Sequence, residues 1–227
     1  MAATVIRARN LQFAYDSDHA VLNGLDLEVQ AGDFVTLIGA NGSGKSTLLN
    51  IVLSQLTDYQ GDLELFGDNI KQNRHFADIA YISQNSFVAY RNFPTTVREV
   101  LQVHLAYLKK QQDIVKCLQE VCLAEHANKR LSELSGGQLQ RLALLLALIK
   151  EAKLIILDEP TAAIDRNFAR EMMQLLRNIA DTGNTILLVT HNLADVDGYA
   201  DYVYELEGGK LKLQTENKTA VQEKVRC

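Results

Sequence analysis

Hydrophobic residues change their spacing several times along this chain, and each change predicts a different element. Over residues 1–36 apolar and polar positions alternate in short runs: Val5-Ile6-Arg7-Ala8, Leu11-Gln12-Phe13-Ala14-Tyr15 and Leu25-Asp26-Leu27-Glu28-Val29. A period of two predicts half-buried antiparallel strands, broken by turns at 16–19 and 30–33. A continuous apolar run then follows, Phe34-Val35-Thr36-Leu37-Ile38, and leads through a glycine-rich stretch into Leu48-Leu49-Asn50-Ile51-Val52-Leu53. That order predicts strand, turn and helix. The runs 61–68 and 79–83 read as two further strands.

From about 97 to 130 the strand pattern disappears. Val97, Val100, Leu101, Leu105 and Leu108, then Ile114, Leu118 and Val121, recur at helical spacing. This predicts a helical insertion, with Pro94 breaking the chain before it and Thr95 or Thr96 capping its first helix. A strongly apolar helix is expected over 139 to about 149. The runs Leu154-Ile155-Ile156-Leu157 and Thr185-Ile186-Leu187-Leu188-Val189-Thr190 then read as strands buried inside a parallel sheet. Residues 201–207 and 210–213, joined by Gly208-Gly209, predict a closing hairpin. The tail after it is polar.

Composition narrows the class. A chain of 227 residues with 47% hydrophobic and 22% charged residues has enough apolar material for one compact core. Its net charge of −5 speaks against a nucleic-acid partner, which usually meets a basic excess. The longest apolar stretch, 142–149, stops at Lys150-Glu151, well short of the roughly 18–20 residues of a membrane span. The first seven residues lack a basic-then-apolar secretory layout. Cys117, Cys122 and Cys227 match no common metal spacing and read as reduced thiols of a cytosolic protein.

The chemistry concentrates at element ends. Gly39-Ala40-Asn41-Gly42-Ser43-Gly44-Lys45-Ser46-Thr47 fits the pattern G-x-x-x-x-G-K-[ST] between a strand and a helix. Glycines let the backbone curl so that its N–H groups wrap a polyphosphate, and the following helix adds the positive end of its dipole. Lys45 suits the β- and γ-phosphates, and the Ser46 hydroxyl suits a Mg²⁺ ion bridging them. Asp158 and Glu159 follow a buried strand, where α/β proteins place ligand chemistry. Asp158 is a candidate for holding Mg²⁺ and Glu159 for polarising an attacking water. Gln84 and His191 also close strands. Gln84 is a candidate for Mg²⁺ or the water, and His191 for sensing the γ-phosphate. Tyr15 is either strand core or a stacking surface for adenine. Leu134-Ser135-Gly136-Gly137-Gln138 makes a second anion-ready helix start. It is either an ordinary capped helix or a contact for a nucleotide held by another molecule.

Together these residues resemble the nucleotide-binding subunit of ATP-binding-cassette transporters over essentially the whole chain. The pentapeptide 134–138 is similar to that family's signature sequence, and it lies between Gln84 and Asp158-Glu159 in the family's order. The resemblance implies a single α/β domain. Its P-loop NTPase core with an N-terminal antiparallel β subdomain spans 1–84 and 150–213, and an inserted α-helical subdomain spans about 85–149. It also implies ATP as substrate with Mg²⁺, and a head-to-tail dimer. Each ATP would lie between the phosphate loop of one copy and Ser135, Gly136, Gly137 and Gln138 of the other. Catalytic roles are then expected for Glu159, His191, Gln84 and Lys45, metal contacts for Ser46, Gln84 and Asp158, and an adenine contact for Tyr15. Asp165 keeps its place in the loop after the carboxylates, but Ala162 replaces the usual serine.

The expected partners are a second copy, separate permease subunits and an extracytoplasmic substrate-binding protein, with the chain peripheral on the inner face of the cell membrane. The stretch 92–101 resembles importers of zinc, manganese or iron chelates. An exporter ATPase, and a soluble ATPase of the superfamily acting on DNA or ribosomes, stand as the alternatives.

Overall fold

The computed structural model describes residues 3–16, 19–83, 93–161 and 166–217. Two 11-residue strands, β1 (Thr4–Ala14) and β2 (Ala20–Gln30), pair antiparallel, joined on the other edge of β1 by β4 (Gln60–Leu65) and the short β5 (Asp68–Asn69). The two short runs expected at 5–8 and 11–15 are one strand. Its register shifts between Ala8 and Leu11, where Asn10 takes a φ of 48°. A bulge of this kind bends a long strand without ending it.

The second sheet carries the order β10-β9-β3-β8-β7-β6, built from β3 (Phe34–Ile38), β6 (Ile79–Ser83), β7 (Leu154–Asp158), β8 (Thr185–Val189), β9 (Tyr202–Glu207) and β10 (Lys210–Glu216). Neighbours from β9 through β6 run parallel, and only the edge strand β10 is antiparallel. β3 and β8 are buried at every position, as their unbroken apolar runs require. Their C-terminal ends lie together, and this shared rim positions the site.

Helix α1 (Lys45–Val52) lies between the two sheets. Leu48, Leu49, Ile51 and Val52 join one core with residues of β1, β2, β3 and β8. On the other face of the larger sheet a second core gathers α5 (Arg166–Asp181) and part of α4 (Gly136–Ile149). Arg177 ties α5 to that sheet: its guanidinium bridges Asp181 and Asp201, and Asp201 also accepts the Phe34 N–H at 2.7 Å.

A third core belongs to the helical layer of α2 (Val97–Tyr107), α3 (Ile114–Glu120), the 3₁₀ turns Ala124–His126 and Leu131–Glu133, and α4. Thr96 caps α2 with a reciprocal Thr96–Glu99 box. The apolar helix α4 begins at Gly136, three residues before the expected start, because Ser135 serves as its N-cap. It is apolar nearly all round because Ala143, Leu144 and Ala147 face the sheet core while Leu139, Leu142, Leu145 and Ile149 face the helical core. Cys117 is a free, buried thiol, and Cys227 lies outside the described residues. No helix among the described residues is long and apolar enough to cross a membrane.

Candidate functional site

A cleft of about 680 Å³ opens at the C-terminal rim of the parallel strands, lined by Tyr15, Val21, Asn41, Gly42, Gly44, Lys45, Ser46, Thr47, Tyr81, Ser83, Asp158 and Glu159. Much of this wall comes from the turn between β3 and α1. Gly39 sits where any Cβ would come within 2.7 Å of the Leu206 carbonyl oxygen, so the loop can lie flat on β9 only with glycine there. The N-cap of α1 is Gly44, with φ of 106° and no side-chain hydrogen bond. The first turn of this helix therefore has no side-chain cap of its own, and its partial positive charge faces the cleft.

Lys45 is buried, and its ammonium donates to the Gly39 and Ala40 carbonyls at 2.7 and 2.9 Å. An ammonium has three donors, so one remains beyond these two bonds. The Ser43 hydroxyl is buried without a partner among the described residues, the kind of orphan a ligand oxygen would satisfy. Tyr15 stands at the rim, 63% exposed, its hydroxyl 3.2 Å from Thr47 Oγ1 and its ring edge-on to Phe13.

The opposite wall brings the carboxylates together. Parallel pairing sets Asp158 beside Ser83 on one side and Val189 on the other. Glu159, one residue past the strand, holds a positive φ of 51° and donates its N–H to the Val189 carbonyl at 2.9 Å. A non-glycine residue in this region is strained by about 1–3 kcal/mol, and such strain gathers at functional sites. The chain turn delivers the Glu159 side chain to His191, whose Nδ1 lies 2.8 Å from Glu159 Oε2. Because an ionised carboxylate only accepts, the imidazole donates. Burial pushes the Asp158 carboxyl above its ordinary range, and the Glu159 charge adds to that. A hydrogen bond from Tyr81 and the Lys45 ammonium pull the other way.

Tyr81 has no assigned role in the sequence reading. Its hydroxyl donates to Asp158 Oδ2 at 3.2 Å, and burial beside Asp158 raises its own pKa to about 12. The strand period places Tyr81 and Ser83 on one face of β6, but the registration of Ser83 with Asp158 comes only from the pairing of the two strands.

Ser135, Gly136, Gly137 and Gln138 do not line this cleft. They form the start of α4, where Ser135 Oγ accepts from Gln138 N–H at 3.2 Å and Gln138 Oε1 accepts from Ser135 N–H at 3.0 Å. Gly136 is exposed with open space around its Cα, whereas a Cβ on Gly137 would fall 2.1 Å from the Phe168 ring. Gln84, Ala162 and Asp165 lie outside the described residues.

A phosphate-loop cleft beside paired carboxylates, on the rim of a mostly parallel α/β sheet, defines a nucleotide-binding ATPase. A family model described as ABC transporter matches residues 22–162, more than half of the chain. The chain belongs to the ABC transporter family, as an ATP-binding ATPase. It is 35% identical over 89% of its length to the zinc uptake system ATP-binding protein ZurA of Listeria monocytogenes, covering 82% of that protein. It is 33% identical over 92% of its length to the manganese transport system ATP-binding protein MntB of Bacillus subtilis, covering 86% of it. Among solved structures, CbiO1 of Clostridium perfringens, part of the ABC transporter complex CbiONQ, superposes with a TM-score of 0.82 at 26% identity, over 95% of this chain and 90% of that one.

Proposed function

We propose that this chain powers import of a metal ion or metal chelate, zinc or manganese before others, by pairing head to tail with a second copy around two ATP molecules. One observation carries the two-copy reading. A single chain holds an open phosphate cleft with Lys45 and Glu159–His191, and a second helix start that takes no part in lining that cleft. The likeness to ZurA and MntB supports the cargo.

In this reading the N–H groups of the 39–47 loop and α1 wrap the phosphates, and Lys45 turns its ammonium to the β- and γ-oxygens. Tyr15, exposed at the rim, offers its ring to adenine, a contact worth about 1–3 kcal/mol by analogy with base stacking. Glu159 takes the proton of the attacking water, and His191 keeps the carboxylate aimed by its Nδ1–H bond. Ser135, Gly136, Gly137 and Gln138 of the second copy close over the γ-phosphate. Gln84 and Asp165 keep the roles their place in the sequence implies.

The residues fit Mg²⁺. Such an ion is usually held by one or two carboxylates and the phosphates themselves, and here the cleft offers the Asp158 carboxylate and the Ser46 hydroxyl. A carboxyl that burial holds above its ordinary range also gains from a cation beside it. Bound there with Gln84, Mg²⁺ would neutralise charge on the phosphates.

The core and β subdomain take 1–84 and 150–213, with the helical subdomain at about 85–149 between them. Permease subunits would hold the chain on the inner face of the membrane, supplied by an extracytoplasmic binding protein. Cells deprived of this chain are expected to grow poorly under zinc or manganese limitation. The intact gene should restore growth and the Glu159→Gln gene should not. Unimpaired growth and metal content without the chain would remove the import reading.

A further inference from the structure

The capping box of α4 does not end at the helix. Beyond it, the Gln138 side chain reaches His126, with Gln138 Nε2 2.6 Å from His126 Nε2. The box decides which end of the amide points where. Ser135 N–H needs an acceptor, so Gln138 Oε1 faces Ser135 and the NH₂ group faces the histidine. An NH₂ group donates, so His126 Nε2 must offer a lone pair and the ring proton must sit on Nδ1. Nδ1 is buried and has no partner among the described residues. The opposite tautomer would set N–H against N–H, unless the amide turned over and broke the bond to Ser135 N–H.

The chain of bonds ends at the Ser135 hydroxyl. Its oxygen accepts from Gln138 N–H at 3.2 Å, and its hydrogen has no acceptor among the described residues. Ser135 and Gly136 are exposed at the helix end. The hydroxyl hydrogen is therefore a spare donor at a place where the dipole already favours an anion.

We infer that His126 is a positioning residue for the nucleotide contact of Ser135: its Nε2 lone pair anchors the Gln138 amide, the amide keeps the capping box closed, and the closed box leaves the Ser135 hydroxyl hydrogen free for a phosphate oxygen. This rests on the two-copy reading above. His126 never touches the nucleotide. It acts through Gln138, from the 3₁₀ turn Ala124–His126.

The test uses the full chain carrying Glu159→Gln, so that ATP is bound but not consumed, and follows dimer formation by light scattering as ATP is raised. Adding His126→Leu, which keeps bulk but removes the acceptor, should raise the ATP concentration for half-maximal dimerisation by about five- to tenfold, the effect of losing one or two ordinary hydrogen bonds. Adding His126→Gln instead, whose Oε1 restores an acceptor, should bring it back to within about twofold of the parent on the same reasoning. Binding of a fluorescent ATP analogue to the monomer should be the same in all three. Dimerisation of the leucine variant at the parent's ATP concentration overturns the inference. So does equal impairment of the glutamine and leucine variants, which would make His126 a packing residue. If the Glu159→Gln parent itself stays monomeric, the two-copy reading falls and takes the inference with it.

Discussion

Helices α1 and α4 both start from glycine-bearing turns, yet their first turns are finished in opposite ways. At α1 the cap is Gly44, no side chain closes the helix end, and a buried lysine waits on two loop carbonyls. At α4 Ser135 and Gln138 satisfy each other, and the bonding continues into His126. An open helix end gains most when an anion arrives, because the anion supplies the missing acceptors. A self-capped end is complete before any ligand comes and can offer only what points outward. The first arrangement suits a site that captures a nucleotide, and the second suits one that recognises a nucleotide already held elsewhere.

The two signature glycines divide the same way. Gly136 has open space around it and presents backbone to solvent. Gly137 is buried beneath the Phe168 ring, which also carries the Arg141 guanidinium 4.8 Å from its centroid. One glycine faces outward, and its neighbour keeps α4 seated on α5 within its own chain.

Glu159→Gln would break or sharpen the contrast most. General-base help is worth about 10²–10⁴-fold, so turnover should fall by that much while ATP still binds and drives dimerisation. Near-normal turnover measured by phosphate release would take Glu159 out of the base role. Lys45→Ala comes next: losing charged hydrogen bonds at the open end should weaken ATP binding by about ten- to a hundredfold. Unchanged affinity in a direct binding titration would contradict the division between a capturing and a recognising end. Gly137→Ala should be felt in stability before function, because its methyl meets the Phe168 ring. Overpacking of this kind costs about 1–3 kcal/mol, read from urea unfolding, and Phe168→Ala in the same chain should recover part of it. A fully stable Gly137→Ala protein would show that α4 does not depend on that contact.

Most of the elements were legible in the hydrophobic pattern. The alternating runs became β1 and β2, the continuous runs became β3, β7 and β8, and the 3.6-residue spacing became α2 and α3. Boundaries were less legible where a side chain rather than an apolar residue ends the element. Asn10 carries one strand through what reads as two, and Ser135 starts α4 before its apolar face begins. The Tyr81 contact with Asp158 and the His126 contact with Gln138 are not legible in the sequence. Each residue looks ordinary within its own element, and its partner comes from register or from a separate turn.

By itself the sequence determined the glycine loop and its lysine, the order of strands and helices, and the residue types that stand at strand ends. These follow from local sterics and from the period of burial, which a short window contains. Only the tertiary structure decided that Glu159 meets His191, 32 positions away, at 2.8 Å, and that Phe168 occupies the space a side chain at 137 would need. Those meetings depend on which strands become neighbours and in what register, and the packing of the whole chain sets that.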